Sequence, residues 1–206
     1  MDFSILLLLG FVVGLSGAMI PGPLLVYTIS KTLRSGPLTG FYVILGHALV
    51  ESILIVLVYL GAVSFFTNPI FYKVMSLGGG VALVYFAYHL YASDVSLKND
   101  PGIRDYGAFY GGVFFTAFNP GFPLWWATAG ARLLLEGYSR MGYFGGFLVL
   151  SGHWIADLTY YVAVSYLVYR GRERMVTKYA SASKFLLAFL MLLLGLYFIN
   201  SGFMHF

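Results

Sequence analysis

The chain alternates long apolar stretches with short polar segments. Six stretches are long and apolar enough to cross a bilayer as helices, which takes about 20 residues each. They cover residues 3–30, 40–66, 70–91, 106–135, 142–169 and 185–203. Because lipid offers no partner for exposed backbone N–H and C=O groups, each stretch is expected to be an α-helix. The pattern predicts an all-α integral membrane protein with six transmembrane helices.

Composition supports the bilayer as the solvent. The chain has 206 residues, of which 60% are hydrophobic and only 10% are charged, against roughly 25% charged in a soluble protein. The absence of cysteine excludes disulfides, thiolate metal sites and cysteine nucleophiles. The basic residues are scattered, so we expect no nucleic-acid partner. The expected partners are the lipid bilayer and a small-molecule substrate.

The distribution of Lys and Arg predicts an orientation. Nine of the twelve follow the first, third and fifth predicted helices, and three lie on the opposite side. Basic loops favour the cytoplasmic side of a membrane. We therefore expect a multi-pass protein of the cytoplasmic membrane with both termini outside and residues 93–105 as a cytoplasmic linker.

Two segments of the chain repeat one pattern. In the second and fifth predicted helices, Gly-His is followed, four residues after the histidine, by a carboxylate: His47 with Glu51, and His153 with Asp157. The first and fourth helices both contain a Pro-Gly motif. Because each half holds three helices, the second half must enter the membrane from the opposite face, as in many secondary transporters. The sequence thus predicts two inverted three-helix repeats, residues 1–92 and 106–206.

Prolines interrupt the first and fourth predicted helices near mid-membrane. Pro21 and Pro23 flank Gly22, and Pro120 follows Asn119. An internal proline removes a backbone hydrogen bond and clashes with the preceding turn. Freed backbone groups are tolerated at that depth only where they face protein or a wet cavity. We expect two broken helices that meet at the midplane and bind polar groups of a substrate.

Three tryptophans are candidates for the wall of the same cavity, where they would pack against a substrate side chain: Trp125, Trp126 and Trp154. Packing in the core or against lipid explains them equally well.

The repeated His and carboxylate pairs are the candidates for ion coupling. Spacing of four residues places His47 and Glu51 on one helix face, and likewise His153 and Asp157. Ionisable residues inside a membrane usually face the bundle interior and mark a pathway, and an imidazole titrates in the physiological range. The four residues are predicted to carry protons. The alternative is that the same four bind a divalent cation.

The motifs resemble those of a known family. Gly14-Leu15-Ser16-Gly17-Ala18 leads into Pro21-Gly22-Pro23, Gly46-His47-Ala48-Leu49-Val50-Glu51 follows, and Asn119-Pro120 lies in the fourth helix. Together they resemble the LysE family of amino-acid exporters. The resemblance implies a six-helix transporter that expels amino acids or related metabolites, driven by an ion gradient. It also implies that Pro21, Gly22, Pro23, Asn119 and Pro120 form the substrate region.

These observations predict a secondary active transporter that exports an amino acid or a similar small polar metabolite, coupled to protons. The alternatives are a divalent-cation transporter and, less in keeping with the pattern, a membrane-embedded enzyme. We expect no enzymatic activity and no cofactor beyond H⁺ or Na⁺ as the coupling ion. Faces rich in small residues would permit a homodimer.

Overall fold

The computed structural model describes residues 3–60, 68–92, 106–176, 178 and 180–204. All of the regular structure in these ranges is helical. The predicted linker at 93–105 and the end of the second predicted helix at 61–66 lie outside the described residues. We number the helices in chain order: α1 (Phe3–Ala18), α2 (Pro23–Ser35), α3 (Thr39–Tyr59), α4 (Pro69–Ala92), α5 (Tyr106–Ala117), α6 (Gly121–Trp125), α7 (Ala131–Val176) and α8 (Ala180–Met204).

The first predicted helix is broken at its prolines, as expected. α1 and α2 meet at a bend of 79°. Gly22 is extended, and α2 begins at Pro23, where the missing proline N–H costs nothing. The helix then continues to Ser35, five residues beyond the predicted end at Ser30, and stops at Gly36, whose φ of 98° suits glycine alone.

The fourth predicted helix is also broken at its Asn-Pro motif. α5 ends at Ala117, and α6 starts at Gly121. Between them the side-chain oxygen of Asn119 accepts a hydrogen bond of 3.0 Å from the Gly121 N–H, which replaces a backbone partner that the break removes. A π-helical turn, Trp126–Gly130, then joins α6 to α7 and was not predicted.

The polar ends of two helices are longer than predicted. α7 is bent at Met141 and Gly142, where the backbone is not helical. The part of α7 after the bend, residues 143–176, is its second arm, which ends at Val176 instead of residue 169. α8 begins at Ala180 instead of residue 185. The length of an apolar stretch reflects only the part of a helix that lies in lipid. Predictions based on it therefore miss polar turns that extend beyond the bilayer.

The apolar helices identify a multi-pass membrane protein. By length and composition alone, four helical segments can cross a bilayer: Thr39–Tyr59, Pro69–Ala92, Gly121–Met175 and Ser181–Met204. The bent pair α1–α2 makes a possible fifth. The predicted count of six remains a prediction, because α5 is short and the segment Gly121–Met175 contains the bend at Gly142.

Glycines bring two pairs of helices into backbone contact. α1 packs along α7, where a Cβ on Gly10 would collide with the Val149 carbonyl, and one on Gly152 would collide with the Leu7 carbonyl. α3 packs along α5 with the same reciprocity, through Gly46 and Gly112. Small residues allow this close approach in membrane proteins. The remaining long helices, α4 and α8, pack against each other.

Candidate functional site

A cavity of about 300 Å³ lies where the two helix breaks meet. Pro21, Gly22 and Pro23 line it from the first break, and Asn119 lines it from the second. Pro120, also predicted for this site, is fully buried and does not line the cavity. The structure therefore brings four of the five predicted break residues to one space.

The four predicted ion-coupling residues form one cluster at the wall of this cavity. Each offers a nitrogen or oxygen atom, and these atoms all lie within 4.8 Å of one another. α3 supplies His47 and Glu51, and the second arm of α7 supplies His153 and Asp157, each pair one helical turn apart. Glu51, His153 and Asp157 are at most 4% exposed. Residues more than 100 positions apart thus share one buried site.

Glu51 is the best-bonded member of the cluster. Its Oε1 accepts a hydrogen bond of 2.9 Å from the indole N–H of Trp126 and lies 2.9 Å from Nε2 of His153. Its Oε2 accepts a hydrogen bond of 2.5 Å from the indole N–H of Trp154. Nε2 of His47 lies 3.4 Å from Oε1. Both carboxylate oxygens therefore have donors, as a buried carboxylate requires.

Asp157 has a poorer set of partners. Its Oδ2 lies 3.2 Å from Nε2 of His153 and 3.5 Å from Nε2 of His47, yet it makes no hydrogen bond within the described residues. Nδ1 of His153 is likewise unbonded there. Nδ1 of His47, in contrast, lies 3.0 Å from the hydroxyl of Thr116. The cluster therefore combines a satisfied acid with an unsatisfied one.

The three predicted tryptophans take two different positions. Trp125 lines the cavity and stacks on His153, with ring centres 5.0 Å apart. Trp126, at the start of the π-helical turn, and Trp154 do not line the cavity. Their indole N–H groups donate hydrogen bonds to Glu51. A π-helical turn shifts the residues that follow it around the helix axis and often occurs at functional sites.

Sequence reasoning missed several residues of the cavity. Thr116 is fully buried beside His47, and a lone threonine within an apolar helix was a signal that could have identified it. The aromatic lining gave no such signal, because aromatic residues occur throughout the chain. The missed aromatic residues of the lining are Phe115, Phe122, Tyr161, Tyr197 and Phe198.

The cluster is close enough together to bind a cation, but its hydrogen bonds disfavour cation binding. Two imidazoles and two carboxylates are suitable ligands for a divalent metal, and their atoms are close enough together. Both oxygens of Glu51, however, already accept indole N–H groups. A metal ligated by Glu51 would have to share an oxygen with one of these donors. The hydrogen bonds of Glu51 therefore do not favour the divalent-cation alternative.

Apolar spans, two interrupted helices and a shared cavity with four ionisable residues at its wall are typical of a membrane transporter. A family model of the LysE type translocators matches residues 15–202, and the chain belongs to this family. The match confirms the resemblance drawn from the Pro-Gly-Pro and Asn-Pro motifs. Membership in a transporter family also accords with the expectation that the protein is not an enzyme. No curated protein and no solved structure matches the chain.

Proposed function

We propose that this protein is a secondary active transporter that exports an amino acid or a similar small polar metabolite in exchange for protons. It resides in the cytoplasmic membrane, with the start of α1 and the end of α8 on the outer side. The substrate occupies the cavity between the helix breaks. The cluster of His47, Glu51, His153 and Asp157 couples its movement to protons.

The buried cluster at the cavity wall carries this proposal. Burying ionisable side chains at membrane depth is costly, so they are placed where transport needs them. An imidazole beside a carboxylate can pass a proton between two carriers. The cluster adjoins the same space as the broken helices, so substrate and proton would meet there. Family membership supports the amino-acid class of substrate.

We further propose six spans arranged as two inverted repeats. α1 with α2 forms the first span, and α5 with residues 121–140 forms the fourth. The packing supports this correspondence, because α1 contacts the second arm of α7 as α5 contacts α3. The paired motifs Gly46-His47 and Gly152-His153 fall at corresponding places in α3 and α7.

Transport in proteoliposomes tests the proposed function. We expect an imposed pH gradient to drive uptake of a labelled amino acid into inverted vesicles, and Asp157→Asn to abolish that response. Glu136→Gln is the matched control, because that carboxylate pairs with Arg140 outside the cavity. Transport by Asp157→Asn that still responds fully to the pH gradient would contradict the proton role.

Labelling of single cysteines tests the proposed orientation. The native chain has no cysteine, so a single introduced thiol reports its own side of the membrane. We expect Ser139→Cys to react with an impermeant maleimide on intact cells and Lys178→Cys to react only after permeabilisation. The reverse result would invert the orientation, and labelling of both from one side would refute the six-span arrangement.

A further inference from the structure

The charges around the cavity are suited to a cation. Among the described lining residues, two are carboxylates, two are imidazoles, and none is Lys or Arg. An anionic group bound here would therefore meet two acids and no permanent positive charge. A positively charged group would meet complementary partners.

The two acids are not equally available to such a group. Both acids lie within 3.5 Å of both histidines, but Glu51 also accepts hydrogen bonds from two indoles. Asp157 is 3% exposed, lines the cavity, and leaves Oδ2 without a hydrogen bond in the described part of the chain. A buried acceptor without a donor is costly, so a ligand that supplies the donor gains by doing so. An ammonium group supplies three donors and a positive charge.

The rest of the lining is mostly apolar and includes six aromatic side chains. Phe115 and Phe122 approach from the second break, Tyr161 lies one turn beyond Asp157, and Trp125 covers His153. The volume of about 300 Å³ is at the lower end for small-molecule sites, so it suits one small metabolite. Apolar walls with a few polar groups orient a ligand that has a polar end and an apolar body.

From these observations we propose that the cavity recognises primary amines with an apolar, preferably aromatic, side chain, and that Asp157 binds their ammonium group. Glu51 is the positioning acid, which holds His153 and the two indoles in place. This inference rests on the proposed function and specifies its substrate class as apolar amino acids rather than basic, acidic or hydroxylated ones.

Thermal stabilisation of the full-length protein in detergent tests the recognition rule, because a ligand that binds the folded state raises Tm. Two probes share the phenyl ring and differ in the charged end. 2-Phenylethylamine keeps the ammonium and lacks the carboxylate, whereas 3-phenylpropionate keeps the carboxylate and lacks the ammonium. We expect L-phenylalanine, L-leucine and 2-phenylethylamine to stabilise the protein and 3-phenylpropionate to bind at least tenfold more weakly. Equal or tighter binding of 3-phenylpropionate would overturn the proposal.

Two variants assign the role to Asp157 and the aromatic wall. Asp157→Asn is expected to weaken 2-phenylethylamine binding at least tenfold, and Glu136→Gln is expected to leave it unchanged. Phe122→Ala is expected to weaken L-phenylalanine binding, and it supplies an independent test if Asp157→Asn does not fold. Unchanged 2-phenylethylamine binding in a folded Asp157→Asn would overturn the role of Asp157. Unchanged L-phenylalanine binding in Phe122→Ala would overturn the role of the aromatic wall.

Transport assays separate this inference from the proposed function. If proteoliposomes move L-lysine, L-glutamate or L-serine in preference to L-phenylalanine and L-leucine, the substrate rule is wrong and the transporter assignment stands. If no amino acid moves under a pH gradient, both fail.

Discussion

His47 and His153 occupy corresponding places in α3 and α7, but the residues that face them differ. A helix packed through glycine lies against each histidine: α5 against His47 and α1 against His153. In α5, Gly112 is followed one turn later by Thr116, whose hydroxyl bonds to Nδ1 of His47. In α1 the residue one turn after Gly10 is Gly14, which has no side chain to offer Nδ1 of His153.

This difference places one repeated motif in two different environments. The hydroxyl of Thr116 orients the His47 ring by a hydrogen bond. The His153 ring is instead held by packing, between Gly14 on one side and the stacked ring of Trp125. The acids differ in the same sense, because Glu51 has three hydrogen bonds and Asp157 Oδ2 has none among the described residues. Repeats alike in sequence need not be alike in chemistry.

The largest expected effect separates the two acids. Glu51→Ala removes the acceptor of two buried indole N–H groups, so we expect it to lower the free energy of unfolding by about 3 to 5 kcal/mol. Asp157→Ala removes only the contacts of Oδ2 with His153 and His47, at 3.2 and 3.5 Å, so we expect a smaller loss of about 1 to 2 kcal/mol. Denaturant titration of the purified protein measures both. Equal losses would show that the two acids contribute equally to the free energy of unfolding.

The next effect tests the packing against His153. A Cβ on Gly14 would lie 2.7 Å from Nδ1 and 2.8 Å from Cα of His153. Gly14→Ala should therefore cost about 1 to 3 kcal/mol, because the backbone of α7 would have to move. Gly171→Ala is the control, since a Cβ there meets nothing within 4 Å, and it should be neutral or stabilising. A neutral Gly14→Ala would refute the close contact.

The smallest effect tests the bond to His47. Thr116→Val keeps the shape of the side chain and removes its hydroxyl, so we expect a loss of about 1 kcal/mol. The control is Thr128→Val, where the hydroxyl bonds only to backbone carbonyls of the preceding turn. If Thr116→Val costs no more than Thr128→Val, the hydroxyl does not position His47, and the contrast between the two histidines is weaker than the geometry indicates.

Local patterns predicted the features that depend on local physics. Pro21, Pro23 and Pro120 indicated where helices must break, because a proline in a helix interior removes a backbone hydrogen bond and clashes with the preceding turn. Spacing of four residues placed His47 with Glu51, and His153 with Asp157, on shared helix faces. The LysE family motifs indicated the class of protein, which the family match confirms.

Contacts between distant helices could not be predicted in the same way. The bonds from Trp126 and Trp154 to Glu51 cross 75 and 103 positions of the chain. They depend on the exact rotation of each helix, and the π-helical turn at Trp126–Gly130 changes that rotation without a sequence signature. Of the three tryptophans predicted to form a cavity wall, Trp125 lines the cavity, whereas Trp126 and Trp154 donate hydrogen bonds to Glu51.

The reciprocal glycine contacts have a mechanical consequence. Backbones interlocked through Gly10 and Gly152, or through Gly46 and Gly112, cannot slide past each other without separating. Any opening of the cavity should therefore swing α1 and α7 as one block against α3 and α5 as another. Glu51 belongs to one block, and its partners His153 and Trp154 belong to the other. Those two hydrogen bonds join the blocks. A substrate or proton that breaks them would therefore allow the two blocks to move relative to each other.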